Sequence, residues 1–201
     1  CKQFQDGGFE FGVHRGDLTA TTRVTAVGDR VPVAFPLLTP LAIDPKGPPP
    51  VIPALQIIVA CRLLDPETQI TRHALIPMPE ILGRRISVTL EGEGHAFVLI
   101  EDLAAAHAGL LFPGETVTAT TAFRVTRNGD IAVQEEDVID LADEMEDVLT
   151  ARRFADTVRL ELRSNAPRDL VRMIQNATGA TSQEIYSVEG PPGLAAFMEL
   201  A

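Results

Sequence analysis

Four histidines, His14, His73, His95 and His107, are the residues most able to act as a nucleophile or hold a metal ion. None stands at a ligand spacing such as H-x-x-x-H, and none is placed by the sequence beside an activating carboxylate. They read as surface or strand histidines. Cys61 sits within an apolar run, as an inert core thiol does. Glu135, Glu136, Asp137, Asp140, Asp143, Glu144, Glu146 and Asp147 supply the oxygens that hard cations prefer. They follow the polar side of a helical pattern, so a solvated face is the expectation and a cation-binding acidic module the weaker reading. Arg124, Arg127 and Arg159 could face a polyanion, with solvent-facing strand arginines the preferred reading. Gly92-Glu93-Gly94 is an isolated G-x-G, expected to be a hairpin turn, and no phosphate-binding glycine loop opens a helix. Asn176-Ala177-Thr178 matches a glycosylation sequon by chance. No catalytic residue and no metal site is assigned, and the substrate-binding residues are unknown.

A proline-rich connector separates an N-terminal segment of uncertain structure, with a short strand-like piece at 23–27, from a clear pattern of strands and turns. Residues 1–34 are rich in Gly and Thr, with no sustained helical period. Residues 36–53 hold Pro36, Pro40, Pro45, Pro48, Pro49, Pro50 and Pro53, which predicts an extended connector with neither helix nor central strand. Residues 55–64 predict a strand with Ile57, Val59 and Cys61 on one face. Asp65-Pro66-Glu67-Thr68 predicts a type I turn into a returning strand over 69–76. Residues 86–90 and 95–100 predict a second hairpin, and 102–111 a short helix. Residues 116–126 are strand-like, and Asn128-Gly129 predicts a hairpin joining 123–125 to 131–133, because both turn residues accept positive φ. Residues 138–154 predict an amphipathic helix with acids early and Arg152-Arg153 late. A strand over 158–162, a helix over 167–177 stopped by Gly179, a strand over 185–188 and a helix opening at Leu194 follow. The expected class is α+β: a mixed, largely antiparallel sheet built from hairpins, with helices packed on it.

The chain has 201 residues, enough to bury roughly 70% of its unfolded surface. Its net charge is -11, with a pI near 4.8. Nucleic-acid affinity rests on Lys and Arg neutralising phosphates, so no nucleic-acid partner is expected. Two distant thiols, Cys1 and Cys61, build no disulfide framework, which points to a reducing, cytoplasmic setting. No transmembrane segment is expected, since no apolar run approaches about 18 residues. The first residue is Cys rather than Met, and the expectation is a fragment or trimmed product.

Five strings in order then resemble one family. They are Phe35-Pro36-Leu37-Leu38-Thr39-Pro40-Leu41-Ala42-Ile43-Asp44-Pro45; Phe97-Val98-Leu99-Ile100-Glu101-Asp102 with Leu111-Phe112-Pro113-Gly114; Phe123-Arg124-Val125-Thr126-Arg127-Asn128-Gly129-Asp130; Arg152-Arg153-Phe154 with Val158-Arg159-Leu160-Glu161; and Ile185-Tyr186-Ser187-Val188-Glu189-Gly190-Pro191. Together they resemble the middle (head) domain of bacterial polyphosphate kinase, over residues 35–201. Residues 1–34 form a divergent N-terminal segment outside the resemblance. The chain departs from the family at Pro53-Ala54-Leu55, where Ser-Asn-Leu is usual, so two side-chain hydrogen-bonding groups are lost.

The resemblance implies an enzyme that transfers the terminal phosphate of ATP to polyphosphate, with Mg²⁺, through a phosphohistidine. That histidine lies in C-terminal domains with an H-H-P-Y-D-S-F-like signature, beyond this segment. The segment itself is then expected to need no cofactor and to be inactive alone. Its implied role is to dimerise and to roof the active site of the remaining polyphosphate kinase domains, as a homodimer. The alternative is a free-standing structural or interaction domain with no activity.

Overall fold

The computed structural model describes residues 35–44, 47–48, 50–89, 95–128 and 155–194. A six-stranded sheet runs in the order β1-β3-β2-β6-β7-β8. Its strands are β1 (Leu41–Ile43), β2 (Ile57–Leu64), β3 (Thr71–Pro77), β6 (Thr116–Arg127), β7 (Thr157–Arg163) and β8 (Ile185–Val188). Neighbours are antiparallel except β7 and β8, which are parallel. The hairpin of β4 (Arg85–Thr89) and β5 (His95–Leu99) forms a separate two-stranded sheet. The mixed, largely antiparallel α+β expectation holds.

β2 is a nearly continuous apolar run because both of its faces are covered. Ile57, Val59, Cys61 and Leu63 join Ala74, Ile76 and Ala122 on one face. Helix α1 (Ile100–Ala106) packs there through Ile100, Leu103 and Ala104, and Val98 of the hairpin adds to the same cluster. On the opposite face Ile58, Ala60, Leu75, Phe123, Val125, Leu160 and Leu162 meet Leu170 and Ile174 of helix α2 (Arg168–Thr178). α2 ends at Gly179, whose φ of 72° is left-handed and whose N–H reaches the Gln175 carbonyl, as the stop signal predicted.

The structure departs from the sequence reading at four places. The proline-rich stretch contains a 3-10 turn at Phe35–Leu37 and the three-residue strand β1. β1 lies at the sheet edge, where missing donors are tolerated. Residue 100 opens α1 instead of ending a strand, and a separate 3-10 turn covers Ala108–Leu111. The turn after β2 closes through five residues, with the Gln69 N–H on the Asp65 carbonyl and Gln69 at φ 58°. There the Asp65 carboxylate accepts the N–H groups of Glu67 and Thr68, so the side chain replaces the expected type I bond. The last three elements form a βαβ unit, since α2 connects two parallel strands.

Phe123 and Arg124 pair with Ile58 and Ile57 on one side and with Leu162 and Glu161 on the other. The Val125 carbonyl accepts the Leu55 N–H. The expected Asn128-Gly129 hairpin from Gly129 on with its returning strand at 131–133, the predicted helix over 138–154, the predicted last helix beyond its first residue Leu194, and residues 1–34 lie outside the described residues.

Candidate functional site

Strand alternation gathers charge on one part of one sheet face. Arg124 is registered against Glu161, Glu161 against Tyr186, and Thr126 against Arg159. Side chains alternate faces along a strand, so Arg124, Arg159, Glu161, Arg163 and Tyr186 share the face that carries Val59 and Cys61 further along the sheet. The change from apolar to ionic falls between Ala122 and Arg124 on β6. α1 straddles it: Leu103 and Ala104 cover the apolar part, while Glu101 and Asp102 address the ionic part.

The centre of the ionic part is a grip on the loop at residues 190–193. Glu101 is 0% exposed. Its Oε1 accepts from Arg84 Nε at 3.0 Å and from Arg84 Nη2 at 2.5 Å. Arg84 Nη2 also donates to the Pro192 carbonyl, and Nη1 to the Gly193 carbonyl at 2.6 Å. The Arg84 side chain is 13% exposed. Glu161 completes the grip, its Oε2 accepting the Gly193 N–H at 2.5 Å and its Oε1 accepting from Arg159 Nε at 2.7 Å. Gly193 adopts φ 68°, and a Cβ there would stand 2.9 Å from Arg124 Cδ and 3.4 Å from Arg84 Nη1. Only glycine fits both the backbone and the space.

The electrostatics follow. Burial alone would raise the Glu161 carboxyl. The Gly193 N–H, the Arg159 hydrogen bond and the Arg159 and Arg124 charges outweigh it and hold the group below its ordinary range. Arg163 donates to Asp102 Oδ1 at 2.5 Å, tying β7 to α1. The Arg159 guanidinium also lies over the Tyr186 ring, 4.0 Å from its centre.

The three arginines singled out from the sequence are all engaged. Arg124 Nε donates to the Leu55 carbonyl at 3.0 Å. Arg127 donates to the Ala155 carbonyl at 2.8 Å, and burial lowers its pKa. Arg159 is held by Glu161 and Tyr186. Their donors serve the domain's own carbonyls and carboxylate. Cys61 is fully buried and its thiol is pushed up to about 12 by burial, so it is inert.

His73 lies on β3, with Nε2 3.9 Å from Asp169 Oδ2, a carboxylate that also takes Arg62 at 3.0 Å. His107 caps α1, and burial lowers its pKa. Thr178 of the chance sequon is buried, its hydroxyl donating to the Ile174 carbonyl. The side chain of His95, with His14, Gly92-Glu93-Gly94 and the acids of 135–147, lies outside the described residues. Among the described residues no three His, Cys, Asp or Glu side chains form a metal-holding group. No described helix is long and apolar enough to cross a membrane.

Sequence reasoning missed Arg84, Glu101, Glu161 and Gly193 as one site. One signal pointed to it: Glu101 follows the apolar run at 97–100, where a buried acid needs a partner. Glu161 gave none, since alternation with Leu160 and Leu162 puts it on the other face of its strand, as a solvent-facing acid would be.

Residues 33–200 match the family described as the polyphosphate kinase middle domain. The polyphosphate kinase of Pseudomonas aeruginosa is 37% identical over 163 residues, covering 79% of this chain and 24% of the relative. That of Streptomyces coelicolor is 36% identical over 157 residues, covering 78% and 20%. That of Bacillus cereus is 32% identical over 171 residues, covering 83% and 24%. The chain thus spans about a quarter of the length of the curated relatives it matches. The crystal structure of polyphosphate kinase from Porphyromonas gingivalis superposes with a TM-score of 0.67 at 20% identity, covering 92% of this chain and 26% of that one, a likeness of fold.

Proposed function

Since this chain belongs to the polyphosphate kinase middle-domain family, we propose that it serves a polyphosphate kinase as a structural domain that takes no part in the bond-making step. On this reading the terminal phosphate of ATP passes to polyphosphate, with Mg²⁺, through a histidine carried by other domains. This segment packs against those domains, roofs their active site and supplies a homodimer contact in a cytoplasmic enzyme. The observation that carries the reading is the use of the arginines. Phosphoryl transfer needs cations aimed at the moving phosphate, whereas Arg84, Arg124, Arg127 and Arg159 point their donors at this domain's own carbonyls and carboxylates.

Incubating the purified chain with ATP, Mg²⁺ and a polyphosphate primer is expected to give no chain extension, while sedimentation equilibrium is expected to give twice the monomer mass. Sustained polyphosphate synthesis by the segment alone would overturn the assignment of chemistry elsewhere. A monomer at all concentrations would remove the dimer contact.

A further inference from the structure

We propose that Arg84 is the positioning residue of a latch that fixes the course of the loop at residues 190–193, by holding the Pro192 and Gly193 carbonyls while seated on the buried Glu101 carboxylate. Three successive polar groups of that loop, the Pro192 C=O, the Gly193 N–H and the Gly193 C=O, are each gripped by a charged side chain. The grips come from remote parts of the sequence. Arg84 immediately precedes β4 and lies 109 positions from Gly193, and Glu161 on β7 lies 32 positions from it.

An ordinary surface loop leaves such groups to water. Here residues 191–193 are buried, and Leu194 directly after them is 65% exposed. The held backbone is therefore buried up to Gly193, and the exposed Leu194 beside it adds no apolar contact that could hold the loop in place of the charged side chains.

The latch requires arginine specifically. The planar fork presents several donors at once, so one guanidinium spans a carboxylate and two carbonyls. A lysine ammonium would keep the charge against Glu101 and lose that span. On the opposite side, Arg124 Cδ closes over Gly193 and leaves no room for a side chain. The latch is built from described residues of this chain and does not rest on the proposed role in phosphate transfer, so either can fail without the other.

Hydrogen exchange on the whole 201-residue chain tests it. In Arg84→Lys, exchange at Gly193 and Leu194 is expected to rise about tenfold or more, while amides of β2 and β6 change by less than about twofold. Gly193→Ala, which sets a methyl group against Arg124 Cδ and beside Arg84 Nη1 while removing no charge, is expected to give the same local pattern. Unchanged exchange at Gly193 in Arg84→Lys would overturn the latch. So would a rise of equal size in every strand, because Arg84 would then serve only general stability.

Discussion

One face of the main sheet carries two kinds of contact with α1. Over β2 and β3 it presents Val59, Cys61 and Ile76, all fully buried against Leu103 and Ala104. Over the end of β6 and β7 it presents Arg124, Arg159, Glu161 and Arg163, which meet Glu101, Asp102, Arg84 and the loop at 190–193 through directed bonds. The apolar part gains from area removed from water, a force without direction that tolerates small shifts. The ionic part has no such tolerance. A carboxylate as buried as Glu101 is stable only while its partner stays in place, and an equivalent hydrophobic pair often serves stability equally well. The apolar part makes the elements meet, and the ionic part dictates where one particular loop lies.

Substitutions that treat the two parts alike should therefore have unlike consequences. Glu101→Ala strands the Arg84 guanidinium and is expected to cost about 3–5 kcal/mol, measured as the loss in urea-unfolding free energy. Leu103→Ala on the same helix is expected to cost about 2–5 kcal/mol through lost contact and a residual cavity. The informative variant is the double change Arg84→Met with Glu101→Leu. It is expected to recover most of the stability lost in Glu101→Ala, while Gly193 still exchanges rapidly. A double variant as unstable as the single one would mean that the ion pair holds the fold as such, and the contrast would collapse. Gly193→Ala comes next, at about 1–3 kcal/mol for a side chain in left-handed backbone against Arg124.

The division is half legible in the sequence. The apolar part is visible because the apolar run at 55–64 and the returning strand read over 69–76 mark out two core strands, observed as β2 and β3. The period of two alone puts Ile57, Val59 and Cys61 on one face. The strings that resemble the family also contain Glu101, Asp102, Arg124, Arg159 and Glu161 of the ionic part, and omit Arg84, Arg163 and Gly193. What alternation cannot give is which strands become neighbours. Arg124 and Glu161 are adjacent only because β6 lies between β2 and β7, a neighbourhood made by long-range pairing that no local turn signal reports. Residues 190–193 carry no periodic signal, and their carbonyls are invisible to composition. A loop held by its backbone leaves as its trace only the glycine that the space demands.

The smallest expected effect separates the two parts by pH. Glu161 has a folded pKa held below its ordinary 4.5 by its partners, despite burial. A depressed carboxylate contributes stability at pH values above its unfolded pKa and loses that contribution as pH falls through the folded value. The ionic part should therefore weaken below about pH 4.5, with a slope of at most about 1.4 kcal/mol per pH unit from this one group. The apolar part contains no titrating group in that range, since the thiol of Cys61 is pushed up to about 12. Asp169 on the opposite face is also depressed, because its bond to Arg62 outweighs its burial, and it supplies a second acid-sensitive contribution. Glu161→Gln should consequently remove one part of the acid slope and leave the part owed to Asp169. Unfolding curves between about pH 3 and 6 measure this, and an unaltered slope in Glu161→Gln would show that the Glu161 carboxyl titrates alike in the folded and unfolded chain, so that the grip on Gly193 adds no acid-sensitive stability.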